Sequence, residues 1–294
     1  MILLTGATGS VGSNLLPLLL EQGHQVKCLV REPAGLGQSR VDVQITMGDL
    51  RELSDPYLLR QALRGVDTVI HLAGSMRDQP PFSVEQLNGL ATARLVDGAE
   101  EHGVERFMFF SALGAGPVQG SRFLRSKWIG EGAVRSSPLD TTIFRPSIVF
   151  DRSDPWVTLM ERFSFLPFMP VAGNGAAEFQ PVWANDAARA VVAVLDGQER
   201  ETVEVAGPQT QTYAGMSSLV AELAGRPRPV WPIPRPLVYL GLEAIRAVFG
   251  QAAFATWEEA ELMQVSMASP NGPADLRSLG IEPLSMAGVL GEDP

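Results

Sequence analysis

The sequence predicts an α/β fold, in which a doubly wound parallel sheet carries helices on both faces and a smaller lobe follows at the C-terminal side. Three observations predict this class. Short apolar runs alternate with helical stretches through residue 150. The run 105–110 is almost continuously apolar, as in a strand that is covered on both faces. The first strand leads directly into three glycines, Gly6, Gly9 and Gly12, which an apolar helical stretch follows.

Each glycine of this first turn has a separate physical role. One permits the tight turn, one lets the backbone approach a pyrophosphate, and one lets the helix pack closely on the strand. The unpaired amides of the first helical turn carry the positive end of the helix dipole, which suits a diphosphate. Surface turns also contain such glycines, but this turn lies between a strand and a helix. We therefore predict dinucleotide binding by Gly6, Thr8, Gly9, Ser10, Val11 and Gly12.

The other elements of the sheet are predicted from caps, turns and apolar runs. The first helix ends near Glu21, although Pro17 is awkward inside it unless it lies in the first turns. A cap and a proline in their favoured places begin a helix at Ser54-Asp55-Pro56, and Gly65 closes it. We further predict strands at 25–30, 41–46, 67–72, 105–110 and 141–144, and helices at 83–101 and 121–136.

The ends of strands two to four carry candidate cofactor contacts. Arg31 lies nineteen residues beyond Gly12, where a fold that prefers NAD usually places an acid for the ribose 2′-hydroxyl. An arginine suits a 2′-phosphate instead, although Glu32 follows it, so we predict NADP in preference to NAD.

Asp49, which Leu50 follows, could accept a hydrogen bond from an adenine amino group or cap a helix, and both interpretations remain open. The segment Leu72-Ala73-Gly74 ends strand four with small residues, so a cofactor could lie against its backbone.

The rest of the chain is less regular. Residues 163–170 are aromatic and rich in proline, and Asn185-Asp186 is predicted to cap a helix at 187–195. A strand at 202–206, a helix at 213–223, a proline-rich bend at 227–236 and two more helices, one of them at 237–249, are expected to follow. We assign residues 1–150 to a dinucleotide-binding core, to which 185–206 return, and residues 151–184 and 207–294 to a smaller substrate or partner lobe.

Composition excludes several classes of protein. The net charge of -10 argues against general nucleic-acid binding, which needs a surplus of Lys and Arg. Cys28 lies in an apolar run and is expected to be a buried thiol, and the three histidines are scattered, so we expect no metal site. The apolar strand begins at Ile2, which leaves no room for a signal peptide, and no apolar run reaches spanning length. We therefore expect a cytoplasmic protein without a transmembrane segment.

Taken together, the motifs resemble those of the extended and atypical short-chain dehydrogenase/reductases. The resemblance is greatest to the branch that includes the complex I accessory subunit of the 39 kDa type and NmrA-like proteins. It implies a Rossmann-type fold, nicotinamide dinucleotide binding, support of a lysine by Asn88, and backbone contacts of Pro146 and Ile148 with the nicotinamide amide. The motifs are Gly6–Gly12, Gly48–Leu50, His71–Gly74, Asn88–Thr92, Ser111, Lys127, Arg145-Pro146 and Val182–Asp186.

One position departs from the family pattern. Its redox enzymes carry a Tyr-x-x-x-Lys pair on one helix face, where the tyrosine exchanges a proton with the substrate oxygen, and a serine holds that oxygen. Here Lys127 and Ser111 match, and the resemblance implies that Lys127 also binds the cofactor by a hydrogen bond to the nicotinamide ribose. The tyrosine position, however, is Phe123, whose ring cannot donate a proton. Loss of a positioned general acid typically costs roughly 10² to 10⁴ in rate.

Three interpretations stay open. Lys127 could act as the acid or base, provided that its pKa is lowered by burial and by the cofactor's charge. A hydroxyl from Tyr213 or Tyr239 could replace the missing one. The protein could also bind NADP(H) without chemistry, as a redox sensor or a structural or assembly protein.

We predict a reductase of a small hydrophobic carbonyl or enone that uses Ser111 and Lys127, with the non-catalytic binder as the alternative. An epimerase is less favoured, because such enzymes depend most on the tyrosine. The apolar segments 163–170 and 237–249 could line a substrate pocket, form a partner surface or belong simply to the core.

Overall fold

The computed structural model describes residues 1–197, 200–250 and 255–291. Its central feature is a sheet of seven parallel strands. These strands are β1 (Ile2–Thr5), β2 (Val26–Val30), β3 (Gln44–Met47), β4 (Thr68–His71), β5 (Arg106–Phe110), β6 (Asp140–Pro146) and β11 (Thr202–Val205). Their spatial order is β3-β2-β1-β4-β5-β6-β11, so the chain turns from one half of the sheet to the other between β1 and β4. The predicted doubly wound sheet is confirmed.

Three two-stranded pairs lie outside this sheet. They are formed by β7 (Val149–Phe150) with β10 (Val182–Trp183), β8 (Met169–Ala172) with β13 (Val230–Ile233), and β9 (Glu178–Phe179) with β12 (Gln211–Thr212). The helices are α1 (Ser10–Glu21), α2 (Pro56–Leu63), α3 (Ala91–Glu101), α4 (Arg122–Ser136), α5 (Pro155–Phe163), α6 (Ala184–Leu195), α7 (Tyr213–Leu223), α8 (Arg235–Phe249), α9 (Trp257–Leu262), α10 (Ala274–Ser278) and α11 (Met286–Gly291). Short 3₁₀ turns occupy Pro33–Val41 and Leu50–Glu52, and a π-helical turn occupies Gln86–Leu90.

Helices cover both faces of the sheet. On one face, α1 and α6 bury leucine, valine and alanine side chains against β1, β2 and β6. On the other face, α2 and α3 bury Leu58, Leu63 and Leu95 in a second cluster. A third cluster, with Phe150, Phe179 and other apolar residues, forms the core of the smaller region. Because the strands are buried on both faces, their side chains are apolar at successive positions, as β5 shows.

Local signals placed most boundaries within a few residues. Asp55 caps α2 by accepting a hydrogen bond from the amide of Tyr57, with Pro56 at the first helical position, as predicted. The first helix continues through Pro17, whose side chain is exposed. The predicted helix at 83–101 opens with the π-helical turn Gln86–Leu90 before regular α3 begins.

Two predictions for the second half of the chain are wrong. The helix predicted at 187–195 begins at Ala184 with Trp183 as its cap, so Asn185-Asp186 lies inside its first turn. Asp186 is buried there and accepts a hydrogen bond from the amide of Leu284. The proline-rich bend contains strand β13, and four helices, not two, follow α7 in the described part of the chain.

Strand β11 lies at the edge of the large sheet beside β6, although it follows β6 by more than fifty residues of chain. Leu276, Leu279 and Ile281 also pack into the cluster on the α1 and α6 face. The division into a core and a smaller lobe stays a prediction. Within the described residues, every helix is too short or too polar to cross a lipid bilayer.

Candidate functional site

The glycine-rich turn lies at the carboxyl end of β1, where the strand order reverses between β1 and β4. Gly6 has φ +76°, and a Cβ on it would lie 2.7 Å from the backbone N of Ala73 at the end of the neighbouring strand. A Cβ on Gly12 would lie 2.1 Å from the carbonyl oxygen of Gly6. Helix α1 can therefore pack directly on the turn only when both positions lack side chains.

The amino end of α1 offers unpaired backbone donors. Gly9 is the N-cap residue, and its carbonyl accepts the first backbone hydrogen bond of the helix, from the amide of Ser13 at 2.9 Å. The amides of Ser10, Val11 and Gly12 therefore have no acceptor within the helix. Thr8 and Gly9 are exposed beside them. This arrangement fits the diphosphate of a dinucleotide, because open amides and the helix dipole both favour negative charge.

Two carboxylates near this helix end were not found from the sequence. Ser10 donates its hydroxyl to Asp154 at 3.3 Å, and Asn14 donates its amide to Asp151 at 2.9 Å. Burial raises the pKa of Asp154, hydrogen bonds from the Trp156 amide and the Ser10 hydroxyl oppose the rise, and the charge of Asp151 adds to it. The only sequence signal was the cap pattern Asp154-Pro155, which predicts a helix start and not a site.

At the ends of β2 and β3, one acid is flanked by two arginines. Asp49 caps the turn that begins at Leu50, accepting a hydrogen bond from the Arg51 amide at 3.0 Å. Its carboxylate pairs with Arg51 at 2.8 Å and approaches Arg31 at 3.9 Å. Burial alone would raise the pKa of Asp49, but the Arg51 hydrogen bonds and the two guanidinium charges hold it below its ordinary value. Of the two interpretations of Asp49, the structure shows the cap, and the adenine contact stays a prediction.

Lys127 is fully buried on α4. Its Nζ donates to the carbonyl oxygen of Phe110 at 2.8 Å and lies 5.2 Å and 5.8 Å from the ring centroids of Phe109 and Phe123. Burial lowers the pKa of Lys127 to about 8, while the nearby charge of Glu131 opposes that fall. A Cβ on the exposed Gly74 would lie 3.0 Å from this Nζ. The ammonium group therefore lies against the loop that leaves β4.

Asn88 joins that loop to α4. Its side-chain oxygen accepts from the Ser75 amide at 2.8 Å, and its nitrogen donates to the Ser75 carbonyl at 2.8 Å and to the Ser126 hydroxyl at 2.9 Å. The buried amide thus fixes the backbone just after Gly74 and holds α4 one residue before Lys127. The support of Lys127 by Asn88 that the family resemblance implies stays a prediction.

His71 is completely buried at the end of β4. Its ring lies 2.7 Å from the Thr5 hydroxyl and 3.0 Å from the Thr92 hydroxyl, and it stacks on Phe109. Burial and then the charge of Lys127 lower the pKa of His71 to about 3, so the ring is neutral at physiological pH. It links β1, β4 and α3 without adding a second charge beside the lysine.

Ser111 follows β5 and has its backbone amide bonded to the Phe144 carbonyl at 2.7 Å. Its side chain is buried, and its hydroxyl oxygen has no hydrogen-bond partner among the residues that the structure describes. Buried hydroxyls are normally paired, so an unpaired one beside a crevice points to a ligand atom. The hydroxyl of Ser121, at the N-cap of α4, is buried and unpaired in the same sense.

The remaining predicted contacts lie along the neighbouring strand ends. The carbonyl of Pro146 accepts from the Leu113 amide at 2.8 Å, and the carbonyl of Ile148 accepts from the Val182 amide at 3.0 Å. Leu72 and Ala73 are half-buried next to Gly6. The contact of Pro146 and Ile148 with a nicotinamide stays a prediction.

The two tyrosines considered as substitutes have other partners. The Tyr213 hydroxyl accepts a hydrogen bond from the Trp156 indole at 3.2 Å, and burial raises its pKa. The Tyr239 ring packs edge-on against Trp257, at 5.3 Å between centroids. Phe123 is half-buried and packs against the core of the smaller region. Lys127 is thus the titratable side chain that contacts the end of β5, through the carbonyl of Phe110.

A doubly wound sheet with this turn at its switch point defines a dinucleotide-binding protein. Residues 6–164 match the model of a family described as NAD(P)H-binding. The chain belongs to this NAD(P)H-binding family.

Individual relatives agree with this assignment. The mitochondrial NADH dehydrogenase (ubiquinone) 1 alpha subcomplex subunit 9 of Arabidopsis thaliana is 31% identical over 74% of this chain, which spans only 56% of that protein. The NAD(P)H azoreductase of Xenophilus azovorans is 31% identical over 77% of this chain and 75% of its own length. The predicted resemblance to the complex I branch is confirmed.

A solved structure of similar shape is the dTDP-glucose 4,6-dehydratase DesIV double mutant of Streptomyces venezuelae, with NAD bound. The two superpose with a TM-score of 0.74 at 20% identity, over 99% of this chain and 94% of that one. At this identity the likeness shows the fold alone, a doubly wound parallel sheet of the Rossmann type.

Proposed function

We propose that the protein is an NADPH-dependent reductase in which Lys127 supplies a proton and Ser111 holds the acceptor atom of a small hydrophobic carbonyl or enone. The observation that carries the proposal is the pairing of an unpartnered buried hydroxyl with a buried ammonium group at one strand end. Lys127 donates to the carbonyl of Phe110, which immediately precedes Ser111. Phe123 stands where the family's tyrosine supplies a hydroxyl, so we assign proton donation to Lys127.

The proposed chemistry uses each group once. The Ser111 hydroxyl donates a hydrogen bond to the substrate oxygen and polarises the carbonyl. A bound NADPH would supply the hydride, which adds to the carbonyl carbon. The Lys127 ammonium transfers a proton to the oxygen, which completes the alcohol, and the neutral amine regains its proton from solvent. With a pKa of about 8, the lysine is mainly protonated at pH 7 and is still a competent acid.

The substrate preference follows from the side chains beside the crevice. Phe123, Ile148 and Trp156 are half-buried and pack against the apolar core of the smaller region. A flat, apolar molecule would fit such a surface better than a sugar nucleotide. The azoreductase relative supports the inclusion of azo dyes with the carbonyl compounds in a substrate panel.

The test compares two lysine variants, because Lys27 and Lys127 are the only lysines of the chain. Purified protein with NADPH and a panel of aldehydes, ketones, enones and azo dyes is expected to oxidise the cofactor, followed at 340 nm. Lys127→Met is expected to lower kcat by roughly 10² or more, because the proton donor is lost. Lys27→Met is the matched control, since Lys27 is also buried and donates to a backbone carbonyl, that of Arg64, at 2.7 Å. Equal turnover by Lys127→Met and the wild type would refute the role of Lys127.

The second candidate is an NADP(H)-binding protein without turnover, acting as a redox sensor or as a structural or assembly subunit. Phe123 favours it, and so does the complex I subunit among the relatives. This candidate predicts saturable cofactor binding with no oxidation for any member of the panel. Phe123→Tyr separates the two, because a hydroxyl gained beside Lys127 would create activity in a decayed enzyme. In a working lysine-based site, the added hydroxyl is expected to leave activity unchanged or lower it.

We further propose that NADP is preferred over NAD, through Arg31 and Arg51 at the ends of β2 and β3. The pair of guanidinium groups beside Asp49 supports this, since one 2′-phosphate could replace the carboxylate contact of both. Arg51→Ala is expected to weaken NADPH binding about tenfold and NADH binding little, as charge-assisted hydrogen bonds contribute about 1.5–3 kcal/mol. Arg60→Ala, at an exposed side chain of α2, is the control. Equal losses for both nucleotides would contradict the preference.

The cytoplasmic location also stays a proposal, because the Arabidopsis relative is mitochondrial. Fractionation of cells that produce the tagged protein tests it, and recovery inside an organelle would contradict it.

A further inference from the structure

Helix α8 presents an apolar stripe to solvent. Leu237, Leu240, Gly241, Ala244 and Val248 recur at the spacing of one helix face, and all five are exposed. The exposed fractions of the three large side chains are 60% for Leu237, 62% for Leu240 and 76% for Val248. In an ordinary surface helix this stripe faces the core and the polar residues face water. Arg246 and Glu243 lie away from the stripe and pair with each other, and Arg246 also pairs with Glu258 of α9, so the outward face carries no charge.

Exposed aromatic and aliphatic side chains continue this surface at the amino end of α8. Strand β13 precedes α8 and pairs with β8, which brings Trp231 to 5.7 Å from Phe168 between ring centroids. Trp231, Phe165 and Leu166 are 60%, 68% and 42% exposed. We call these three residues and the stripe of α8 the α8 patch. Its extent exceeds the scattered single apolar side chains that are normal on a soluble surface.

Arginines surround the α8 patch in a chain that is otherwise strongly acidic. Residues 161–170 and 226–249 contain five arginines and two glutamates, although the whole chain has a net charge of -10. Arg246 pairs with Glu243 and with Glu258 of α9, so the surplus of positive charge comes from the other arginines. The Arg226 guanidinium lies 4.0 Å from the centroid of the Phe165 ring, and that of Arg235 lies 5.9 Å from the Trp257 ring. The positive charges are therefore held close to the apolar surface, at its margin.

We propose that the α8 patch docks on the surface of an anionic lipid bilayer, with α8 lying in the plane of the interface. Leucine and valine would enter the acyl boundary, Trp231 would lie at headgroup level, and the arginines would pair with lipid phosphates. Charge decides between this occupant and a second copy of the chain. A two-fold contact through the same patch would bring Arg226 and Arg235 of both copies together, whereas an anionic membrane is complementary to them.

The test is co-sedimentation of the purified full chain with vesicles of phosphatidylcholine, with and without phosphatidylglycerol. Binding is expected with the anionic vesicles only, and it should weaken as salt rises. The double variant L237E/L240E is expected to lose about a hundredfold in vesicle affinity, because two leucines no longer enter the lipid. R226Q/R235Q is expected to lose most of the salt-dependent part of the affinity.

The matched control replaces two exposed apolar residues elsewhere by glutamate, V41E/Y57E, at side chains that are 80% and 63% exposed. It adds the same negative charge and is expected to reduce binding much less than L237E/L240E. An equal loss of vesicle affinity in both double variants would show that the added negative charge alone explains the effect, and it would overturn the proposal. A lack of anionic vesicle binding by the wild type would also overturn it. In that case, sedimentation velocity distinguishes a dimer sensitive to L237E/L240E from a monomer whose patch binds another protein.

Discussion

At the scale of single residues, the environment of Lys127 sets its chemistry. Three aromatic or backbone neighbours surround Nζ, and the pKa is lowered to about 8 because the charged form is desolvated. The neighbouring His71 is neutral, so it imposes no fixed positive charge on the lysine. An ordinary lysine would be too weak an acid to exchange protons rapidly near neutral pH. Burial lowers the pKa of Lys127 into the range where its ammonium group can donate a proton near neutral pH.

A pH dependence follows from that pKa. If Lys127 donates the proton, kcat/KM for carbonyl reduction is expected to be constant below about pH 7 and to fall tenfold per pH unit well above pH 8, as the ammonium form is depleted. Stopped-flow or steady-state rates over pH 6–10 measure it. Binding of NADPH, followed by its fluorescence over the same range, is the control. A rate that rises through pH 8 would show that the lysine acts as a base.

The family resemblance pointed to Ser111, Asn88 and Lys127, but it could not show their environment. Whether the Ser111 hydroxyl has a hydrogen-bond partner depends on side chains from distant parts of the chain, and motif matching does not reveal them. Glu131, which is paired with Arg145 and faces the charge of Lys127, was not identified. It lies one helical turn after the lysine, so the signal was present, but an acid on a helix is more often exposed.

At the scale of elements, the turn between β1 and α1 is the most sequence-determined part of the site. Gly12→Ala would place a Cβ 2.1 Å from the Gly6 carbonyl, so the turn must open and its amides must move. We expect NADPH affinity to fall at least tenfold, which corresponds to about 1.4 kcal/mol. Isothermal titration measures the change.

Substitutions at two other glycines test whether the loss of affinity follows the space around the added Cβ. A Cβ on Gly9 would meet the Gly6 carbonyl at 3.4 Å, so Gly9→Ala is expected to weaken binding less than Gly12→Ala. Gly132, in α4, has open space around it, and Gly132→Ala is expected to leave affinity unchanged. If all three variants bound alike, the close packing of α1 on the turn would not matter for the cofactor.

Elements whose ends depend on distant contacts were harder to predict. Asn185-Asp186 has the composition of a helix cap, yet Asp186 is turned inward to the amide of Leu284, ninety-eight residues later. Helix α8 has the apolar periodicity of a core helix, and nothing in its own sequence shows that its stripe faces solvent. In both cases the tertiary partner, or its absence among the described residues, decides the outcome.

At the scale of the whole molecule, the C-terminal segment is held to the edge of the large sheet. Asp275 accepts a hydrogen bond from the Glu204 amide of β11 at 2.8 Å, and Gln180 accepts one from the Ser269 amide at 2.7 Å. Leu276 of α10 is completely buried in the cluster beneath α1 and α6. The C-terminal segment thus contributes to the stability of the N-terminal core.

This packing gives a stability prediction. Leu276→Ala is expected to lower the free energy of unfolding by about 2–5 kcal/mol, because it leaves a cavity in the main cluster. Urea denaturation monitored by tryptophan fluorescence measures the loss. Leu284→Ala is the control, since that side chain is 45% exposed and its substitution should change stability by no more than about 0.5 kcal/mol. Similar losses in the two variants would show that α10 is not part of the main core.

Strand β11 is synthesised more than fifty residues after β6, its partner in the sheet, and this order has a consequence for folding during synthesis. A nascent chain that has left the ribosome only as far as β6 presents that strand with one side unpaired, and residues 202–205 close it later. During that interval the unpaired edge of β6 is open to pairing with other nascent chains. Cells must therefore shield it during synthesis, and a gene fragment that stops at residue 150 should yield aggregates where the full gene yields folded protein.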